Sequence, residues 1–119
     1  RLVGQLYEER SRKGLGDFAL TARVQGYWDR AGTELDLVAL DDERRRLRLA
    51  SCKRSPEKLI ADLPRFDGHV ARFLAARPAL AGWQLEKVAI APELSREARA
   101  AVADRGYLAQ DLRDLTESL

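Results

Sequence analysis

The chain has 119 residues, of which 45% are hydrophobic and 34% are charged. This length suits one domain. The composition excludes a disordered chain, and no stretch reaches the roughly 20 apolar residues that a membrane span requires. The 21 basic and 19 acidic residues leave a net charge of +2, which by itself does not indicate a strongly basic nucleic-acid-binding protein.

The chain contains one cysteine, Cys52, and no methionine. A single cysteine excludes an internal disulfide, and no residues near it have zinc-ligand spacing, so we expect a reducing, cytoplasmic setting. The sequence begins at Arg1 and shows no targeting signal or membrane segment. We therefore expect residues 1–119 to form a single domain that is a fragment of a longer protein.

The hydrophobic period changes several times in the first half of the chain. Residues 1–12 have a helical period, and two glycines follow them. Alternating apolar residues then predict a strand over 18–28, a return strand over 33–40 after a short turn, and a third strand over 47–53. Three consecutive strands with short connections predict an antiparallel meander.

From Ser55 onward the helical period returns. Ser55 and Pro56 suit the N-cap and the first position of a helix, and the apolar stripe that follows extends to Leu74, with Pro64 inside it. We expect Pro64 to kink this helix or to separate two abutting helices. The remaining pattern predicts a buried strand, a second helix, a short strand and a helical tail, over 83–91, 94–105, 107–109 and from 111 onward.

The predicted order of elements is α-β-β-β-α-β-α-β. A meander followed by a helical crossover into another strand gives a mixed sheet with helices on both faces. The predicted fold class is therefore α/β (α+β), with a mixed central sheet flanked by helices.

Two acidic residues, Glu34 and Asp36, lie two positions apart in the second predicted strand. Strand alternation puts both side chains on one face and the neighbouring leucines on the other. Ser51 and Lys53 share a face of the third strand, so an in-register meander brings Asp36 within a few ångströms of Lys53. A carboxylate beside a lysine suits metal-assisted hydrolysis of a phosphodiester. The alternative is a buried ion pair with a purely structural role.

The segments around these residues resemble a known superfamily. Glu34-Leu35-Asp36-Leu37-Val38-Ala39 and Ser51-Cys52-Lys53, with the lead-in Gly26-Tyr27-Trp28-Asp29-Arg30 and Gly32, look like the PD-(D/E)XK nucleases. More narrowly, they resemble the nuclease-like domain found C-terminal to archaeal-type P-loop ATPases in archaea and bacteria. The resemblance runs from about Tyr7 to Phe73 and implies a restriction-endonuclease-like core in α-β-β-β-α-β order.

The resemblance also implies a role for each candidate site residue. Asp36 would bind a metal ion, Lys53 would be the motif lysine, and Glu8 matches an acidic position often supplied by the first helix. Ser51 stands where the superfamily has an acidic residue two positions before the lysine, and Glu34 or Glu8 could restore that missing ligand. If the site is active, Asp36, Glu34 and Glu8 are the expected ligands of Mg²⁺ or Mn²⁺, without tight binding.

The densest basic cluster consists of Arg44, Arg45, Arg46 and Arg48, with Lys53 and Arg54 nearby. One interpretation is that the arginines at 44–46 and Arg54 bind nucleic-acid phosphates beside the site. The other is a solvated end of a hairpin, neutralised by the acidic residues at 41–43.

Two functions remain open at this point. In the first, the domain binds or cleaves nucleic acid, with DNA as a candidate partner, and acts with an N-terminal P-loop ATPase domain of the same chain. In the second, it is a catalytically inert nuclease fold that serves the ATPase as a protein-interaction or structural module. His69, a lone histidine on the crossover helix, is expected to be structural in either case.

Overall fold

The computed structural model describes residue 5, residues 25–28 and residues 34–116; for 25–28 and for residue 34 it describes the backbone alone. Five strands form one sheet in the spatial order β1-β2-β3-β4-β5. Their bounds are β1 (Gln25–Trp28), β2 (Glu34–Asp41), β3 (Arg46–Cys52), β4 (Gln84–Ile90) and β5 (Leu108–Gln110).

Within residues 34–116, three α-helices and one short 3₁₀-helix accompany the sheet. The helices are α1 (Pro56–Ala75), the 3₁₀-helix (Pro78–Leu80), α2 (Arg96–Asp104) and α3 (Leu112–Thr116). The predicted helix over 1–12 lies outside the described residues except for residue 5, which is helical. In the part of the chain that the model describes, no helix is both long and apolar enough to cross a membrane.

The sheet is mixed, as the sequence predicts. Strands β1, β2 and β3 pair antiparallel, whereas β3, β4 and β5 pair parallel. Helix α1 is the crossover between the parallel neighbours β3 and β4. This topology confirms the predicted meander followed by a helical crossover.

Helix α1 is continuous over its 20 residues, although Pro64 lies inside it. Of the two alternatives expected at Pro64, the one with two abutting helices is therefore wrong, and a kink stays a prediction. Leu63 and Phe66, on either side of the proline, are buried in the core, while Pro64 itself is exposed. Packing of the apolar stripe thus keeps the helix intact across the missing N–H group.

Hydrophobic clusters cover both faces of the sheet. The larger one joins the apolar stripe of α1 to strand residues such as Leu49 and to Val102 of α2. The smaller one joins residues such as Val88 and Ile90 to Leu115 of α3. The prediction of helices on both faces is confirmed.

Strand β2 departs from strict alternation near Asp36. Gln25 pairs with Val38 and Tyr27 pairs with Leu35. An advance of two residues along β1 therefore corresponds to three residues along β2. The extra residue forms a β-bulge, a feature that re-aims side chains and is common next to active sites. Leu35 consequently packs in the larger cluster and Leu37 in the smaller one, and the expectation that these leucines share a face is wrong.

The turn between β2 and β3 contains a residue in the left-handed region, Arg45, with φ of 53°. This conformation costs about 1–2 kcal/mol for a residue with a Cβ, and glycine removes that cost at the expense of extra freedom in the unfolded chain. We expect Arg45→Gly to raise the free energy of unfolding by about 0.5–1 kcal/mol, measured by urea denaturation. Arg45→Ala, which keeps the Cβ, should stay near the wild type; a less stable glycine variant contradicts the prediction.

Candidate active site

The candidate site lies at one end of the sheet. Strand β2 runs antiparallel to β3, so the beginning of β2 and the carboxyl end of β3 meet there. The carboxyl ends of β4 and β5 lie at the same end, because both are parallel to β3. Asp36, Ser51 and Lys53 therefore come together at the edge where open sheets with parallel strands commonly bind ligands.

Asp36 is fixed against strand β3 by a hydrogen bond. Its Oδ2 accepts from the backbone N of Cys52 at 2.8 Å, and no further bond to this side chain is present among the described residues. The carboxylate thus lies beside the backbone immediately before Lys53, on the bulged segment of β2. Half-buried and held by one oxygen, it keeps a second oxygen for another contact.

Lys53 is anchored by its backbone and paired through its side chain. Its N–H donates to the carbonyl of Ile90 at 3.0 Å, which continues the β3–β4 pairing. Its Nζ lies 3.9 Å from Oδ2 of Asp62 on α1. Within residues 35–116, the ion-pair partner of Lys53 is thus Asp62 and not Asp36.

Asp62 is a site residue that sequence reasoning missed. Arg65 donates from Nε to Oδ1 at 2.6 Å and from its Nη2 to Oδ2 at 3.2 Å. The hydrogen bonds from Arg65 have the largest effect on the pKa of the Asp62 carboxyl and lower it. The positive charges of Arg65, Lys53 and His69 lower this pKa further, and together these effects outweigh partial burial, which raises it. An acidic residue in the second turn of the helix after Lys53 was the available sequence signal, but only the tertiary fold turns it toward the lysine.

Ser51 is buried, with 1% of its surface exposed, and its Oγ has no hydrogen-bond partner among the described residues. Buried hydroxyls are usually bonded, and leaving one unbonded is costly. Continuing the Leu37–Ala50 pairing by one residue puts Ser51 across from Asp36. Ser51 therefore places a buried polar atom without a hydrogen-bond partner near the Asp36 carboxylate, among the described residues.

His69 contacts two arginines of its own helix. Its Nε2 lies 3.0 Å from Nη1 of Arg65 and its Nδ1 lies 2.8 Å from Nη2 of Arg72. The ring is buried. These contacts agree with the structural role expected for this histidine.

Two of the predicted metal ligands cannot be placed. Glu8 lies outside the described residues, and Glu34 is described by its backbone alone. In the described ranges, no three or more His, Cys, Asp or Glu side chains are grouped so that they could hold a metal ion. Of the predicted ligands, Asp36 alone has a described side chain.

The predicted arginine cluster is divided by the fold. Arg44 and Arg45 are exposed in the β2–β3 turn, at the opposite end of β3 from Lys53, roughly 20 Å away for a strand of this length. Arg46 lies at that same end and donates from Nη2 to Glu86 at 3.1 Å. The interpretation that places these three residues beside the site does not fit this geometry. The alternative of a charged hairpin end agrees with the ion pair between Arg44 and Asp41. Arg54, in contrast, directly follows Lys53. Nucleic-acid contact by any of them stays a prediction.

Comparison with known proteins bears on the fold. No family model matches the sequence, and no curated protein sequence matches it significantly. A solved structure described as a repair endonuclease from Pyrococcus abyssi superposes with a TM-score of 0.56 at 15% sequence identity. The match covers 91% of this chain and 44% of the endonuclease chain. This chain thus spans less than half of its neighbour's length, and the superposition shows that the two share a fold, here a mixed sheet flanked by helices.

Proposed function

We propose that this domain is a nuclease module that binds nucleic acid at the end of the sheet carrying Asp36 and Lys53 and hydrolyses its phosphodiester bonds with a divalent metal ion. The observation that carries the proposal is the position of the Asp36 carboxylate, 2.8 Å from the backbone N of Cys52, the residue that precedes Lys53. A bulged strand and a rigid neighbouring strand hold the two groups in a fold shared with an endonuclease.

The donor atoms present suit a weakly held Mg²⁺ or Mn²⁺. Mg²⁺ binds proteins through one or two carboxylates, keeps several waters and takes further oxygens from substrate phosphates. Asp36 offers one carboxylate, and the unbonded Oγ of Ser51 offers a neutral oxygen opposite it. Glu34 and Glu8 are the proposed sources of a second carboxylate. A metal ion bound here would polarise the phosphoryl oxygens and supply a nucleophilic water.

Lys53 has a separate role in this proposal. Its ammonium group lies 3.9 Å from Asp62, which is a loose contact that leaves donors for another anion. A lysine beside the reacting phosphate stabilises the negative charge that develops on it during hydrolysis. Asp62 keeps the ammonium group at the edge of the sheet.

We further propose that the domain works within a longer chain, next to an N-terminal P-loop ATPase domain. The support is the resemblance carried by the Glu34–Ala39 and Ser51–Lys53 segments. The small net charge of +2 fits this view, because a domain that binds nucleic acid alone and tightly usually carries more positive charge.

A second candidate function is favoured by the serine at position 51. With a neutral hydroxyl in place of the motif acid, the described residues offer a single carboxylate to a metal ion. The domain would then be an inert nuclease fold that serves the ATPase as an interaction or structural module.

The substitution Asp36→Asn tests the nuclease proposal. It keeps the size of the side chain but removes its charge, so we expect Mn²⁺-dependent cleavage of labelled DNA or RNA to fall by about 100-fold. Titration calorimetry should show weak Mn²⁺ binding to the wild type and none to the variant. The matched control is Asp42→Asn, an exposed position in the β2–β3 turn, which should cleave like the wild type.

Two results contradict the nuclease proposal. The first is cleavage that is equal in the wild type and in Asp36→Asn, which indicates a contaminating enzyme. The second is no Mn²⁺ binding at millimolar concentration together with no cleavage, which supports the inert module instead.

A further inference from the structure

A cavity of about 780 Å³ opens at the carboxyl end of the parallel strands, beside the candidate active site. It is lined by the segments that follow β3, β4 and β5 and by the first turns of the helices that begin there. A crevice outside the carboxyl ends of parallel strands is the usual ligand position in open sheets of this type. Its volume lies in the range of pockets that enclose a small ligand or part of a larger one.

Two arginines line this cavity from different elements. Arg54 directly follows Lys53, and Arg113 lies in the first turn of α3. Both are exposed, and within the described ranges neither makes a hydrogen bond or an ion pair. Guanidinium groups recognise phosphate oxygens through paired hydrogen bonds. Two guanidinium groups without internal partners in one cavity are suited to binding an anion with several oxygen atoms.

The acidic residues that line the cavity do not neutralise the positive charge of both arginines. Oδ1 of Asp111 accepts from the backbone N of Asp114 at 3.0 Å, and its Oδ2 accepts from Nη2 of Arg99 at 2.7 Å. Burial raises the pKa of Asp111, but these partners outweigh it and lower the pKa overall, so the carboxylate is occupied internally. Glu93 is the exposed acidic side chain that remains on the lining.

We propose that this cavity binds a phosphate of the nucleic-acid backbone through Arg54 and Arg113, next to the phosphate that Asp36 and Lys53 receive. This inference rests on the proposed function and identifies where the substrate strand is held. Among the described residues, the lining consists of charged side chains with prolines, leucines and a serine, a set that suits contact with the charged backbone more than stacking on bases. Binding should therefore depend on backbone charge and not on base sequence.

The test is a binding measurement without metal. Fluorescence anisotropy of labelled DNA and RNA oligonucleotides, in EDTA and over a salt series, reports binding with no cleavage. We expect Arg54→Ala and Arg113→Ala each to weaken binding by about tenfold. Each should also reduce the slope of log affinity against log salt by about one. Glu93→Gln should tighten binding, because it removes the opposing charge.

The matched control is Arg77→Ala. Arg77 follows the C-terminal end of α1 and lies over the ring of Phe73 at 5.0 Å, at the other end of the sheet from the cavity. We expect this variant to bind like the wild type. The inference is overturned if Arg54→Ala and Arg113→Ala bind no more weakly than Arg77→Ala. It is also overturned if inorganic phosphate binds through these arginines while the oligonucleotides do not.

The outcomes separate this inference from the nuclease proposal. If cleavage depends on Asp36 but binding is unchanged in Arg54→Ala and Arg113→Ala, the proposal that this cavity binds a phosphate is overturned and the nuclease proposal stands. Binding that depends on both arginines, combined with no cleavage that depends on Asp36, overturns the nuclease proposal and retains the cavity as a nucleic-acid contact.

Discussion

Replacing Glu86 with alanine is expected to lower the free energy of unfolding by about 3 kcal/mol. Glu86 on β4 accepts from Nε of Arg48 at 2.6 Å and from Nη2 of Arg46 at 3.1 Å. The side chain of Arg48 is only 4% exposed, so its charge has little access to water. Removing the carboxylate takes away an acidic partner of a buried guanidinium, which costs more than the loss of a surface ion pair.

This effect should depend on pH. Burial raises the pKa of Glu86, but the hydrogen bonds from Arg48 and Arg46 outweigh it, and the pKa lies below the ordinary value. Stability from a carboxyl with a lowered pKa is present above its unfolded-state pKa and is lost as pH falls through its folded-state pKa. The difference between the wild type and Glu86→Ala should therefore be largest at neutral pH and shrink in acid.

Urea denaturation at several pH values measures both expectations. Glu93→Ala makes the same chemical change at an exposed position and should alter stability by no more than about 0.5 kcal/mol. An effect of Glu86→Ala as small as that of Glu93→Ala would show that the Arg48 charge does not need this partner.

The substitution Ser51→Asp is expected to make the stability of the domain depend on metal. Position 51 is 1% exposed, and the next residue, Cys52, donates its backbone N–H to the Asp36 carboxylate, so a second carboxylate at position 51 is both desolvated and near a like charge. Without metal we expect a loss of about 2–4 kcal/mol in the free energy of unfolding. Mn²⁺ should restore much of that loss, because a cation that binds only the folded state stabilises it.

Thermal unfolding with and without Mn²⁺ measures this effect independently of catalysis. Ser51→Asn has a similar size and no charge, and its stability should not respond to Mn²⁺. If Ser51→Asp unfolds at the same temperature with and without the metal, the end of the sheet at Asp36 does not hold a divalent cation.

Local order along the chain was readable from the sequence. Three features that the sequence predicts are properties of residues close together in the chain: the alternation over β3, the apolar stripe of α1 and the cap at Ser55. The Oγ of Ser55 accepts from the backbone N of Lys58 at 3.3 Å. Gly106 lies just after the end of α2, as the sequence predicts. Its φ of 83° is a conformation that glycine adopts without strain. These signals also predicted the order of the elements within the described residues.

The tertiary structure decided which distant residues became partners. Lys53 pairs with Asp62 because α1 packs across the sheet, and Arg48 pairs with Glu86 because β3 and β4 lie in parallel register. Arg45 lies far from Lys53 because a hairpin turn and the carboxyl end of its second strand are at opposite ends of the sheet. Periodicity constrains neighbours three or four residues apart, whereas ion pairs between residues 38 apart depend on register and packing. The sequence by itself thus determined the elements and the candidate acid and lysine, and only the folded chain determined their surroundings.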